Sequence, residues 1–490
     1  MPRQRTTPYG PIIALSCVVV LGLALVAIAV VRPGPVDGWL GGGAAHPTPV
    51  AEPSSAPPSA VLAGASADAP EPTEAGVKAA LDPLVRDSRL GGRVSVSVVD
   101  VVTGSSLYAR GPDTAAVPAS TTKLVTAVTV LASRGPTYKI VTKAVAGAHP
   151  GEVVLVGGGD PTLAAGATGT YPGAARLDLL AAAAKQALGG TPPTKVIIDG
   201  SLFSGPSWGP AWDTELSEGY GAATMALTTD GARVHPKEVK PPAARYREPD
   251  VAAGRLFAAA LGLPASAVAA GTAPPAVAAP AVVTSGSAAS AGPVTLTPGV
   301  ELGRVESPPL VRIVEMMLTE SDNVIAESLA RQVALAKGQP ASYAGAAAAM
   351  KTVLADLGLA AAQDGLADGS GLSKNNRITP ALLTAVLTLA ARSDHPELHG
   401  LFSGLPVAGY SGTLKDRYRS AGPSRPGAGV VRAKTGTLTG VSAISGIVVT
   451  RDGRLLAFAV LADDVTPGGQ FPAQDALDKI TTTLAGCGCR

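Results

Sequence analysis

Aromatic side chains make up only 3% of this 490-residue chain, and its cysteines number three. With 39 Lys and Arg against 37 Asp and Glu, a net charge of +2, there is no basic stripe interleaved with stacking rings, which argues against nucleic acid as a partner. Cysteine is too sparse for a disulfide framework, and a chain of this length can bury a large core without one. Cys17 falls in an apolar run, whereas Cys487 and Cys489 end the chain one residue apart, a spacing that suits neither a comfortable disulfide nor a complete zinc site. An unstructured tail is expected there. The histidines, His46, His149, His235, His395 and His399, include none in a recognisable triad setting. No metal and no cofactor is expected.

What the chain does have is Ser120 and Lys123, three residues apart at the start of an apolar helix. That spacing puts both side chains on one helical face, where the amine can take the hydroxyl proton and activate a nucleophile. Ser321, Asp322 and Asn323 follow 201 positions later (321 − 120), and Lys434, Thr435 and Gly436 another 113 (434 − 321). Ser373-Lys374-Asn375 also fits S-x-N, but it sits in a glycine-rich loop. Ser321 instead occupies a polar break between two apolar helices, where polar groups must be satisfied inward, and is the preferred second-motif serine. Three motifs in this order carry more weight than any of them singly.

Ile12 to Val31 is an uncharged apolar run of twenty residues, preceded by Arg3 and Arg5 and followed by Arg32. Its length suits an N-terminal membrane anchor better than the shorter apolar part of a cleaved signal. Residues 1–32 are therefore read as cytoplasmic stub and anchor, with the remainder outside, the alternative being a signal whose cleavage leaves the protein secreted; residues 33–72, rich in Pro, Ala, Gly and Ser, are read as a flexible linker. Residues 73–150 form a first catalytic part and 299–490 a second. Between them, 151–298 reads as an inserted mixed domain, with strand candidates at Glu152–Val156, Lys195–Asp199 and Val294–Thr297 and an Ala/Pro-rich patch from Ala265 to Pro280. Gly157, Gly158, Gly159 and Asp160 read as a tight turn, not a phosphate loop, since no Gly-Lys-Ser/Thr follows. Near the C-terminus, Val430–Thr437, Val441–Thr450 and Leu455–Ala462 read as consecutive antiparallel strands, with a packing helix over Ala473–Leu484.

In this chemistry Ser120 is the nucleophile and Lys123 its base, with a pKa lowered by burial and by a cation such as Lys434. Ser321 relays the proton, and Asn323 bridges Lys123 and a substrate amide. Lys434 supplies charge for a substrate carboxylate, with the Thr435 and Thr437 hydroxyls as donors. Gly436 lets substrate backbone approach the strand edge, and the Ser120 and Thr437 N–H groups form an oxyanion hole.

With these motifs, and with Leu155–Leu163, Ile198–Phe203 and Asp368–Ser373 beside them, the chain from about Ala75 resembles the low-molecular-mass class C penicillin-binding proteins, the D-alanyl-D-alanine carboxypeptidase/endopeptidase family. The resemblance implies an α/β (α+β) penicillin-binding, serine β-lactamase-like fold: an antiparallel sheet flanked by helices, a helical lobe, and the large insertion. It also implies that peptidoglycan peptides ending in D-Ala-D-Ala, and β-lactam antibiotics, acylate Ser120. The alternatives are a β-lactamase, differing chiefly in how fast the acyl-enzyme hydrolyses, and a non-catalytic cell-wall binding protein, which would have no need of an activated hydroxyl.

Overall fold

The computed structural model describes residues 65–212, 219–277, 296–359, 365–419 and 422–490. The apolar run Ile12–Val31, and the linker as far as residue 64, lie outside them. Among the described residues no helix is long and apolar enough to cross a membrane.

Thr73 caps α1 (Glu74–Leu81), its hydroxyl accepting the Gly76 N–H at 3.1 Å. The hairpin β1 (Val94–Asp100) and β2 (Ser106–Arg110) follows, then α2 (Thr122–Arg134), which carries the first motif. Next come β3 (Val141–Ala146), β4 (Glu152–Val156), α3 (Leu177–Ala187), β5 (Lys195–Asp199), α4 (Pro249–Leu261), β6 (Val268–Ala270) and β7 (Glu301–Glu306). A helical run completes the middle of the chain: α5 (Leu310–Glu320), α6 (Asn323–Ala336), α7 (Tyr343–Asp356) and α8 (Pro380–Ala390). The chain closes with β8 (Val431–Leu438), β9 (Val441–Val449), β10 (Leu455–Ala462) and α9 (Gln470–Ala485).

The first sheet has the order β2-β1-β10-β9-β8 and is antiparallel throughout, with Val94 opposite Ala462 and Asp100 opposite Leu456. Strand alternation gives it two buried faces. Val96, Val98, Phe458 and Val460 pack with Leu81 of α1 and Leu477, Ile480 and Leu484 of α9. Ala457, Ala459 and Leu461 turn the other way, into the core built by α2, α5, α6, α7 and α8. The sheet is thus the middle layer of three, and α2 is buried behind it.

The second sheet has the order β6-β5-β4-β3-β7. Strands β4, β5 and β6 run parallel, as their helical crossovers α3 and α4 require, while β3 and β7 are antiparallel to their neighbours. Leu180 and Ala184 of α3 and Phe257 of α4 cover Leu155, Val196 and Ile198.

The structure corrects several expectations. Strands β3 and β7, on either side of 151–298, belong to the second sheet, and their pairing brings together the two ends of the segment between them, hereafter the insertion. At Val294–Thr297, residues 294 and 295 lie outside the described part and 296–297 form no strand. Within the Ala/Pro-rich patch, Val268–Ala270 form the edge strand β6. The C-terminal tail is ordered: Cys487 is bonded to Cys489, and its side chain completes the core under α1 and α9. The Cys489 carbonyl accepts the Thr73 N–H at 2.7 Å, which gives a partner to a donor at the start of α1.

Candidate active site

Ser120 lies in a 3₁₀ turn, Ala119–Thr121, leading straight into α2. Ala119 takes a left-handed φ of 47°. The turn is tied by its own hydroxyls: Thr121 donates to the Pro118 carbonyl at 2.7 Å and Thr122 to that of Ala119 at 2.9 Å. One turn on, Lys123 is wholly buried, with Nζ 3.0 Å from Ser120 Oγ, 2.6 Å from Asn323 Oδ1 and 2.7 Å from the Ser370 carbonyl oxygen. The last two groups can only accept. A neutral amine would spend its two N–H bonds on them and leave its lone pair for the Ser120 proton. Burial brings the Lys123 amine down to about 8, against the pull of the Asp368, Glu327 and Asp322 carboxylates.

The second motif is a helix-to-helix corner. Ser321 ends α5 in a left-handed conformation, φ 58°, which turns the chain so that Asp322 caps α6. One Asp322 oxygen accepts the Val324 and Ile325 N–H groups; the other accepts from Tyr171 Oη at 2.7 Å and Arg233 Nη2 at 3.0 Å, both from the insertion. Burial opposes ionisation, but the Arg233 and Arg245 cations hold the carboxyl down at about 2. Asn323, so fixed, turns its Oδ1 to Lys123 and donates Nδ2–H to the Tyr220 carbonyl at 2.9 Å. Ser321 lines the cleft, but its hydroxyl makes no hydrogen bond to Ser120 or Lys123.

The third motif lies on β8. Lys434 is fully buried, donates to the Thr435 carbonyl at 2.8 Å, and is pushed well below the ordinary lysine range by burial and by the Lys123 cation. It stands behind the cleft wall, whereas Thr435 and Thr437 line it. Gly436 packs against the turn that carries Ser120. A Cβ there would sit 2.7 Å from the Pro118 carbonyl oxygen and 3.1 Å from the Ser120 nitrogen, so glycine lets β8 lie against that turn.

These residues border a cleft of about 710 Å³, whose walls also carry Tyr220, Arg233, Lys240 and Arg245 from the insertion and Asp416, Arg417 and Phe471 from the catalytic body. Sequence reasoning passes over two contributors. The Ser370 carbonyl is a backbone group with no side-chain signature, and Arg233 lies far along the chain from the motif it anchors. The competing Ser373 is buried away from the cleft, its hydroxyl donating to the Pro210 carbonyl at 2.6 Å. A Gly-x-Ser-x-Gly match, Gly205 to Gly209, lies in a loop with no strand-to-helix turn and so is no nucleophile elbow.

A family model described as D-Ala-D-Ala carboxypeptidase 3 (S13) matches residues 77–274 and 277–484. A carboxypeptidase of Mycobacterium tuberculosis is 37% identical over 481 residues, 96% of this chain and 97% of the relative. The D-alanyl-D-alanine carboxypeptidase of an Actinomadura strain is 30% identical over 475 residues, covering 83% of this chain and 84% of its own. Among solved structures, penicillin-binding protein 4 of Haemophilus influenzae shares the fold with a TM-score of 0.64 at 22% identity, covering 83% of this chain and 98% of that one.

Proposed function

The chain belongs to the D-Ala-D-Ala carboxypeptidase (S13) family, and from that membership we propose that it is a hydrolase that removes the terminal D-alanine of peptidoglycan stem peptides through a Ser120 acyl-enzyme. The observation that carries this reading is the buried Lys123 amine 3.0 Å from Ser120 Oγ, lowered to about 8. Lys123 takes the hydroxyl proton as Oγ attacks the penultimate D-alanine carbonyl. The Ser120 and Thr437 N–H groups receive the oxyanion, a role supported by the close approach of β8 to the nucleophile turn. As the tetrahedral adduct collapses, the peptide C–N bond breaks and the proton held by Lys123 passes to the departing amine, with Ser321 on the cleft wall as a relay that needs the substrate in place to connect. Water then cleaves the ester and regenerates Ser120.

The substrate backbone lies along β8, with its amide on Asn323 and its terminal carboxylate on the Thr435 and Thr437 hydroxyls. Lys434 adds its influence from behind the strand. A β-lactam enters by the same attack, with ring opening in place of D-alanine loss.

The test is to treat the protein with a labelled penicillin, map the adduct, and assay D-alanine release from a pentapeptide and cleavage of cross-linked dimers. Labelling at Ser120 that vanishes in Ser120→Ala is expected. Undiminished labelling of that variant refutes the mechanism; rapid penicillin turnover without peptide cleavage indicates a β-lactamase, and muropeptide binding without acylation a binding protein.

We further infer that Ile12–Val31 anchors the protein in the membrane, with the catalytic body outside. Its support is a twenty-residue apolar length behind Arg3 and Arg5, followed by a Pro-rich tether. Extraction from membranes by alkaline carbonate, or a mature N-terminus beyond Val31, would overturn this.

A further inference from the structure

Asn323 and Glu327 are four residues apart and so share one face of α6. Asn323 touches Lys123 directly; Glu327, 1% exposed, does not. Its two oxygens instead accept the backbone N–H groups of Gly369 at 3.2 Å and Ser370 at 2.8 Å. The next N–H, that of Gly371, goes to Asp368 Oδ1 at 2.7 Å, and that of Ser373 to Asp368 Oδ2 at 2.6 Å. Two buried carboxylates thus take four N–H groups of one short loop. The peptide group joining Ser370 to Gly371 is the one whose carbonyl meets Lys123 Nζ at 2.7 Å.

The loop is held from both sides. A Cβ on Gly369 would lie 2.5 Å from Ala330 Cβ of α6, and one on Gly371 would lie 1.8 Å from the Ala119 carbonyl oxygen of the nucleophile turn. Wedged there, the loop transmits the position of α6 to the amine. Resting on Lys123 as the base for Ser120, we propose that Glu327, paired with Asp368, is a positioning residue: it fixes the Ser370 carbonyl against Lys123, and its charge governs the pH at which Lys123 releases its proton.

The groups facing Lys123 are Lys434 from β8, Asp322 ahead of α6, Glu327 within it and Asp368 from the loop. Around Glu327 stand Asp368, Arg331 at 3.7 Å, and Tyr343, on whose ring the Arg331 guanidinium rests at 4.1 Å. Burial and the Asp368 charge raise Glu327 to about 7. Near neutral pH and above, its anion therefore favours the protonated form of Lys123.

The test is the pH profile of Ser120 acylation by a labelled penicillin in Glu327→Gln and Glu327→Asp. Removing the negative charge favours neutral Lys123, so the acid limb in Glu327→Gln moves down by about one pH unit. On the plateau above it, acylation falls on the order of tenfold, a fraction of what a general base supplies. Glu327→Asp keeps the charge but, one methylene shorter, cannot span both N–H groups. Its limb stays where the wild type has it, while its plateau falls. A limb in Glu327→Gln at or above the wild-type pH overturns the proposal, since a merely loosened loop would hydrate Lys123 and push the limb up. A wild-type plateau in Glu327→Asp overturns it too, and decides the matter if the glutamine variant does not fold. Wild-type labelling at Ser120 in the same experiment separates this outcome from a failure of the acyl-enzyme reading.

Discussion

Arg233 donates to the Asp322 carboxylate at 3.0 Å, and both side chains are 3% exposed. The insertion thereby holds the residue that caps α6 and sets Asn323 in place. Removing one partner of a buried pair leaves an uncompensated charge. Arg233→Met should destabilise the protein by about 3 kcal/mol in urea unfolding and slow acylation, although it leaves Ser120 and Lys123 untouched. The sign in pH follows from Asp322, held at about 2 against a usual 3.8. Its contribution is present above the unfolded value and lost as pH falls through the folded one, so wild type and variant should converge in stability at the acid end.

With Lys123 at about 8, the proposed mechanism predicts that Ser120 acylation rises with pH through that region, because only the neutral amine can accept the hydroxyl proton. Burial sets the low Lys123 value, and Lys123 holds Lys434 down rather than the reverse. Lys434→Gln should therefore leave the acid limb in place, whereas Glu327→Gln moves it down. Acylation rates between pH 6 and 10 check both outcomes.

Gly436→Ala would drive a methyl group to within 2.7 Å of the Pro118 carbonyl oxygen. Neither β8, paired along its length with β9, nor the turn tied by Thr121 and Thr122 can yield easily. Displacing Ser120 by a fraction of an ångström should lower its acylation by roughly a hundredfold. The stability cost, read by thermal unfolding, should be about 1–3 kcal/mol.

Thr73→Ala removes the cap of α1 and the hydroxyl contact to the Cys489 carbonyl at 3.2 Å. A loss of about 1 kcal/mol in denaturant unfolding is expected, with acylation unchanged. A matched loss of acylation would show that α1 and the tail are coupled to the site.

Much of this site was legible because its side chains come in short motifs whose spacing fits one helical face or one strand. β4 and β5 were legible to the residue, since each is a buried apolar run with clear turns beyond it. The bounds of the insertion were not, because β3 and β7 resemble any half-buried strand and only their pairing with each other assigns them to the second sheet. The Ser370 carbonyl was invisible for a different reason: it lies 247 positions from Lys123 and belongs to the backbone. The tail was misread because two cysteines near a terminus give no sign that a core awaits one of them.

The pairing of Val94 with Ala462 places a limit on when the enzyme can come into being. Strand β1 leaves the biosynthetic machinery early, but its partner β10 is among the last segments to emerge, so the catalytic sheet cannot close until nearly the whole chain is available. The insertion's sheet, complete at Glu306, has no such wait. Contacts of such long sequence separation form slowly. Ser120 and Lys123, on the helix behind that sheet, therefore meet the β8 residues Lys434 to Thr437 only once the last strands have arrived.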